Sequence, residues 1–113
     1  MTASAPITIR RGTTLPDIVW RMMSQGQPFP GAGSTFVLTI KSGGNTIRKS
    51  TADGAGLTYD NATGRLRWRR SLAESRQIAL GRVGSYEIER IIGEDQELVI
   101  EGSVTGVGGL SDD

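Results

Sequence analysis

Residues 56–92, which read GLTYDNATGRLRWRRSLAESRQIALGRVGSYEIERII, restrict the fold more than any other part of the chain. Around Trp68, apolar and charged residues alternate, with Leu66 and Trp68 on one parity and arginines on the other. An alternation of period two predicts a strand with one face in the core. Turn-forming residues precede this strand, and Ser71 followed by Glu74 fits a capping box that opens a short helix from Leu72 to Ile78. The stretch therefore predicts strand, tight turn, strand, one helical turn and a further strand.

The rest of the chain contains similar short alternating segments, separated by turn-forming residues. The segments begin at Ile7, Asp17, Phe36, Thr46, Leu57, Arg65, Tyr86 and Leu98. Between two of them, Gly43, Gly44 and Asn45 predict a hairpin, and residues 25–33, with two prolines and three glycines, predict a loop. Seven or eight strands with short gaps, without strand–helix–strand alternation or a repeat, predict an all-β antiparallel sandwich with one short helical turn. We assign residues 7–106 to this domain, residues 1–6 to a flexible N-terminal arm, and residues 107–113 to a flexible acidic tail.

The composition argues against several kinds of chemistry. A chain of 113 residues is long enough for one domain with one core. It has no cysteine and no histidine, which removes disulfides, thiolate metal sites and the commonest general base. No window approaches the roughly 18 apolar residues of a membrane span, and residues 1–12 lack the pattern of a secretory signal. We therefore expect a protein made in the cytoplasm that uses no membrane, cofactor, metal or catalytic residue.

The charge is unevenly distributed, although the net charge is only +1. Residues 1–82 contain 12 basic and 4 acidic side chains, whereas residues 83–113 contain 1 basic and 8 acidic side chains. Such a split indicates attraction between the two regions. Two arrangements would bring the basic and acidic regions together. The first, which we favour, is cross-strand pairing within one sheet, and the second is head-to-tail contact between copies in an assembly.

Six charged side chains are our candidates for an interaction surface: Arg65, Arg67, Arg69, Glu87, Glu89 and Glu101. The three arginines, together with nearby Arg48, Lys49 and Arg70, have the charge to bind phosphates. Surfaces that bind nucleic acid usually add stacking aromatic rings. Because Trp68 has the opposite parity from the arginines, we favour a face toward solvent or a neighbouring subunit over nucleic acid.

Two other groups also have both a functional and a structural interpretation. Asp53, Asp60 and Asn61 offer oxygen ligands but lack the alternate-position spacing of a calcium loop, so turn formation is favoured. Trp20 and Trp68 can form a sugar-binding platform, but each has the apolar parity of its strand. Burial in the core is therefore the favoured interpretation for both tryptophans.

Four carboxylates near the C-terminus also need an interpretation: Glu87, Glu89, Glu97 and Glu101. Two of them can serve as the acid/base pair of a glycosidase. Their regular alternation on adjacent strands instead predicts an outward polar face, so we expect no enzymatic activity.

Several passages together resemble a known family. They are ITIRRGTTLPDIVWRMMSQGQPFP, FVLTI, GLTYDNATGRLRWRRSLAESRQI and GSYEIERIIGEDQELVIEGSVTG. The matching positions are Gly12, Thr13, Phe36, Leu38, Gly56, Leu57, Gly64, Leu66, Ser71, Glu74, Gly84, Tyr86, Ile88, Gly102 and Val104. In these positions the chain resembles the immunoglobulin-like β-sandwich virion proteins of tailed bacteriophages and prophages. It is similar to the N-terminal domain of phage baseplate upper proteins.

The resemblance implies a structural protein of the virion, in the tail, baseplate or fibre-attachment region. Its partners would be other virion proteins in a homo-oligomer or symmetric assembly, and the six charged side chains would form interface charge pairs. Two alternatives stay open: a capsid decoration (cement) protein, and a carbohydrate-binding module in host recognition.

Overall fold

The structure, a computed structural model, describes residues 3–29, 33–81 and 83–108. In chain order the strands β1 to β11 are Ala3–Ser4, Ile7–Arg10, Ile18–Arg21, Met23–Ser24, Gln27–Pro28, Ser34–Ser42, Asn45–Ser50, Leu57–Asp60, Arg65–Trp68, Val83–Ile92 and Asp95–Val107. The helix α1, Leu72–Arg76, lies between β9 and β10. Eight of these strands have four or more residues, in agreement with the seven or eight predicted.

The strands form two main sheets. The larger sheet has the order β1-β11-β10-β6-β7, with β2 also paired to β11, and the smaller sheet has the order β3-β9-β8. Strands β4 and β5 form a separate two-stranded hairpin. Neighbouring strands are antiparallel except that β1 and β2 both run parallel to β11. The two sheets pack as a sandwich, which confirms the predicted all-β fold with one short helical turn.

The core lies between the inward faces of the two sheets. Strand β6 contributes Phe36, Leu38 and Ile40, and strand β9 contributes Leu66 and Trp68; all five are 0% exposed. Full burial of a large apolar side chain stabilises a fold by about 1.5–3 kcal/mol. These alternating residues therefore hold the two sheets together and fix which side chains face outward.

The hairpin between β6 and β7 turns at Gly43 and Gly44, as predicted. Their φ angles are 55° and 88°. A two-residue turn whose twist matches antiparallel strands needs positive φ at both positions, and glycine adopts it without steric cost. Two glycines in sequence therefore set the register of this hairpin.

The helix α1 begins with the predicted capping box. Ser71 Oγ accepts a hydrogen bond from the Glu74 N–H at 3.0 Å, and Glu74 Oε1 accepts one from the Ser71 N–H at 2.8 Å. The buried Ser75 Oγ accepts a hydrogen bond from the Gly12 N–H at 2.9 Å, which ties α1 to the turn after β2. The helix ends at Arg76, before the predicted end at Ile78. No helix in the described ranges is long and apolar enough to cross a bilayer.

The larger sheet extends into the segment predicted to be an N-terminal arm. Ala3 and Ser4 pair with β11, and the Ala5 N–H donates a hydrogen bond to the Glu101 carbonyl at 3.0 Å. Strand β11 likewise continues to Val107, the first residue of the predicted tail. The remainder of the arm and tail (residues 1–2 and 109–113), residues 30–32 of the predicted loop and Arg82 lie outside the described residues.

Candidate interaction surfaces

Strand β9 turns the predicted basic row outward. Leu66 and Trp68 are fully buried, so Arg65 and Arg67 face away from the core and are exposed. Arg69 lies just past the strand, where its N–H donates a 2.8 Å hydrogen bond to the carbonyl of the residue before β8. The side chains of Arg67 and Arg69 are 52% and 60% exposed. The three arginines therefore form one exposed row.

Asp17 provides the counter-ion at one end of this row. Its Oδ1 lies 2.6 Å from Arg69 Nε, and its Oδ2 lies 3.8 Å from Arg67 Nε. One carboxylate shared by two guanidinium groups leaves an excess of positive charge. Exposed ion pairs contribute about 0.2–1 kcal/mol each. Asp17 therefore orients the row more than it stabilises the fold.

Arg21 of β3 enlarges the basic surface beyond the predicted row. It lies directly opposite Arg65 across the β3–β9 ladder, and on the β8 side Arg65 lies opposite Asp60. Within the described part of the chain, neither Arg21 nor Arg65 has an ion pair within 4.0 Å. Like charges directly opposite each other repel. We call the outward side of this sheet, with Arg21, Arg65, Arg67 and Arg69, the basic face.

The three predicted acidic residues lie on the outward side of the larger sheet. Glu87 of β10 is directly opposite Glu101 of β11, and both are exposed. Glu89 is half-buried beside a register shift in the same ladder. The described residues provide no ion pair to any of the three carboxylates. We call Glu87, Glu89 and Glu101 the acidic stripe.

The surface around the acidic stripe is shallow and of mixed charge. Glu87 and Glu101 border a depression of about 210 Å³ together with Thr39 and Lys41 of β6. Arg48 of β7 is exposed beyond them and lies opposite Thr39. Negative charge is thus concentrated on β10 and β11, and positive charge lies on the next two strands, at Lys41 of β6 and Arg48 of β7.

The basic face and the acidic stripe do not meet within the chain. The arginines belong to the smaller sheet and the glutamates to the larger one, and both point away from the shared core. Cross-strand pairing within one sheet, which we favoured from the sequence, is therefore wrong for these residues. The two charged sets occupy opposite outer surfaces of the sandwich.

The other basic residues considered near the row do not join it. Arg70 is 3% exposed and points inward, where it donates hydrogen bonds to the Pro16 carbonyl at 2.8 Å and Thr13 Oγ1 at 2.9 Å. Burial lowers the pKa of Arg70, although a guanidinium remains protonated at neutral pH. Lys49 pairs with a carboxylate of α1 at 2.9 Å, and Arg48 belongs to the other sheet. The basic face is therefore limited to β3, β9 and Arg69.

Both tryptophans are core residues, as predicted. Trp20 is 5% exposed and Trp68 is 0% exposed. Trp20 Nε1 donates a 3.1 Å hydrogen bond to the Tyr86 hydroxyl, which itself donates to the Ala5 carbonyl. Burial raises the pKa of Tyr86. Neither indole ring is placed where it can stack on a sugar.

The region considered for calcium is built as a turn. Asp60 Oδ1 accepts a hydrogen bond from the Ala62 N–H at 2.9 Å, and the Asp60 carbonyl accepts one from the Gly64 N–H at 2.8 Å. Among the residues that the structure describes, no three His, Cys, Asp or Glu side chains are grouped so that they could hold a metal ion. Asp60 thus has a structural role in the β8–β9 turn.

No protein-family model and no curated protein matches this chain. The fold and the surfaces define a small all-β sandwich that presents a basic patch and an acidic patch on opposite outer faces.

Proposed function

We propose that this protein is a structural protein of a tailed-bacteriophage virion that acts through protein–protein contacts in the tail, baseplate or fibre-attachment region. One observation supports this proposal above the others. Arg21 and Arg65 face each other on one outer surface, and Glu87 and Glu101 face each other on the opposite surface. Like charges in these positions destabilise the isolated chain, and a neighbouring surface of opposite charge relieves the repulsion.

Contact explains these residues better than catalysis does. Catalytic acids and bases act in concave sites that exclude water and shift pKa values. Glu87 and Glu101 instead border a shallow depression on an exposed sheet face. The chain also has no histidine or cysteine to act as a base or a nucleophile.

The virion setting follows from the resemblance to the immunoglobulin-like β-sandwich virion proteins of tailed phages. A symmetric particle repeats the same contacts many times, so a small domain with two separate contact surfaces suits such a particle. The partners are then other virion proteins. The basic face and the acidic stripe are the surfaces that we propose for these contacts.

Locating the protein in intact particles tests this proposal. We expect antibody labelling of purified phage particles, viewed by electron microscopy, to mark the tail, the baseplate or the fibre attachment. Labelling of the capsid shell would overturn the tail location in favour of a decoration protein. Absence of the protein from purified particles would overturn the proposed function itself. Binding of the isolated domain to host glycans would favour the carbohydrate-binding alternative.

A complementation experiment tests the contact surface. Particles are assembled in cells that supply the wild type, the Arg65→Glu/Arg67→Glu variant, or an Arg10→Glu control. Arg10 is exposed at the end of β2, in the larger sheet. We expect the double variant to be missing from purified particles and the control to be incorporated. Thermal unfolding of each purified variant verifies folding, and equal incorporation of all three would show that the basic face is not a contact surface.

A further inference from the structure

We infer that copies of this chain stack head to tail, with the basic face of one copy seated on the acidic stripe of the next. This inference rests on the proposed function, because it identifies the partner of those contacts as a second copy. The evidence for stacking is the order in which charged residues lie across the strands of the two sheets.

The strand registers place the charges in two rows of related order. Across β3, β9 and β8, the row on the basic face is Arg21, Arg65 and Asp60. Across β11, β10, β6 and β7, the row through the acidic stripe is Glu101, Glu87, Thr39 and Arg48. The first row reads positive, positive, negative, and the second reads negative, negative, neutral, positive.

The two rows have the same spacing. Neighbouring strands lie about 4.8 Å apart in any sheet, and two sheets that pack in the aligned mode keep their strands within about 30° of each other. Over three strands, the row of one copy can therefore stay aligned with the row of another. In that alignment Arg21 lies over Glu101 and Arg65 lies over Glu87. Asp60 then lies over Thr39, which is uncharged and lies next to Arg48.

With β9 of one copy over β10 of the next, the rows also distinguish two orientations of the contact. If the copy is turned so that the row order is reversed in this alignment, Arg65 still lies over Glu87. Asp60 then lies over Glu101, and two carboxylates are brought together. Like charges brought together across an interface disfavour that arrangement. One orientation thus has two attractive pairs, and the reverse has one attractive and one repulsive pair.

The positions of the two surfaces determine the kind of assembly. The basic face and the acidic stripe lie on opposite sides of one sandwich, so the contact joins unlike surfaces. Such a heterologous contact does not close within a dimer and continues into a stack or a ring. Each copy then uses its basic face on one neighbour and its acidic stripe on the other.

The contact between two free copies is weak. Each exposed ion pair changes an association constant by about 1.4- to 5-fold, so two pairs change it by about 2- to 30-fold. At 1 M salt the Debye length is only about 3 Å, and the contribution is largely screened. Within a particle, further contacts hold neighbouring copies close together. They raise the effective concentration of the two surfaces and so strengthen their association.

Two neutralising variants test the stacking directly. Arg21→Gln/Arg65→Gln removes the two charges of the basic face that lie over carboxylates in this alignment, and Glu87→Gln/Glu101→Gln removes those two carboxylates of the acidic stripe. All four residues are exposed. An Arg10→Gln/Glu94→Gln variant, altered at two other exposed positions, is the matched control. Sedimentation velocity at low salt and rising protein concentration measures association, and thermal unfolding verifies that each variant is folded.

We expect the wild type and the control to form a concentration-dependent series of oligomers that disappears in 1 M salt. Each neutralised variant alone should associate about 2- to 30-fold more weakly than the wild type. A mixture of the two variants retains one wild-type interface, between the basic face of one variant and the acidic stripe of the other. The mixture should therefore form this dimer more readily than either variant alone associates, and any longer oligomer about 2- to 30-fold more weakly than the wild type does.

A wild type that stays monomeric at low salt would overturn the stacking, as would a mixture that forms no dimer beyond either variant alone. Neither result would bear on the proposed function if the protein is still found in purified particles. Absence from particles would instead overturn the proposed function, whatever the association in solution.

Discussion

Trp20 of the smaller sheet donates a hydrogen bond from its indole Nε1 to the hydroxyl of Tyr86 in the larger sheet, at 3.1 Å. The two ring centroids are 5.7 Å apart. The same hydroxyl donates to the Ala5 carbonyl at the edge of the larger sheet. One buried hydroxyl thus joins both sheets and the N-terminal segment.

Tyr86→Phe should therefore destabilise the fold. The change leaves the buried Trp20 N–H without its acceptor, and an unsatisfied buried donor costs about 1–3 kcal/mol. We expect the midpoint of urea unfolding to fall without a change in the slope. Tyr59→Phe is the matched control, because its half-buried hydroxyl donates to the Phe29 carbonyl at 2.7 Å without joining the two sheets. A loss for Tyr86→Phe no greater than that for the control would contradict the importance of the bridge.

Tyr86 also predicts a loss of stability in alkali. Burial raises the pKa of Tyr86 above its ordinary value of 10.0, so the unfolded chain loses this proton first. The stabilising contribution is then fully present below pH 10.0 and is lost as the pH rises through the folded-state pKa. Urea unfolding at a series of pH values measures this loss, and Tyr86→Phe should reduce it. An alkaline decline of the same size in that variant would assign the effect to other groups.

Glu74 predicts the opposite dependence in acid. Burial alone would raise the pKa of Glu74, but hydrogen bonds from Lys49 and from the Ser71 N–H outweigh it and hold the pKa below 4.5. The contribution is present above pH 4.5 and is lost as the pH falls through the folded-state pKa. Glu74→Gln should therefore be less stable than the wild type at neutral pH, by an amount that shrinks in acid. Glu94→Gln, in the exposed β10–β11 turn, is the matched control, and a convergence of the same size in both variants would contradict the role assigned to Glu74.

Local sequence patterns account for much of this fold. Alternation around Trp68 predicted both the buried pair in β9 and the outward arginines, because side-chain parity follows from the strand itself. The pair Gly43 and Gly44 predicted a hairpin, and Ser71 with Glu74 predicted a capped helix, because each motif is complete within a few residues. All of these features are present.

The remaining features depend on partners that are far away in the sequence. Parallel pairing of the N-terminal strands with β11 produces no pattern within those short strands themselves. The sequence of the predicted arm therefore does not indicate that the arm pairs with β11. Arg70 follows the alternating arginines, but its acceptors lie around Pro16, 54 residues away. The pairs Arg21–Arg65 and Glu87–Glu101 exist only because of strand register, which alternation alone does not determine.

Gly102 should be essential for the attachment of the N-terminal segment. A Cβ at this position would lie 2.1 Å from the Ala5 carbonyl oxygen and 2.9 Å from Cε1 of the Tyr86 ring. Gly102→Ala must therefore displace backbone or a buried ring, and overpacking of this kind typically costs about 1–3 kcal/mol. Hydrogen exchange should become faster at the Ala5 amide, which donates to Glu101. Ser85→Ala, on an exposed position of β10, is the control; unchanged exchange in Gly102→Ala would refute the steric argument.

Glu87→Gln should stabilise the isolated protein, although it removes a charge that we assign to a contact. Its carboxylate lies directly opposite that of Glu101, and relief of a like-charge cross-strand pair is worth about 0.2–1 kcal/mol. We expect the gain at low salt and its loss at 1 M salt, where the Debye length is about 3 Å. Because the repulsion belongs to the pair, Glu101→Gln should gain a similar amount, and the double variant should gain less than the sum. Strictly additive gains would mean that the two carboxylates do not repel each other. The repulsion from which we argue for a contact at the acidic stripe would then not exist.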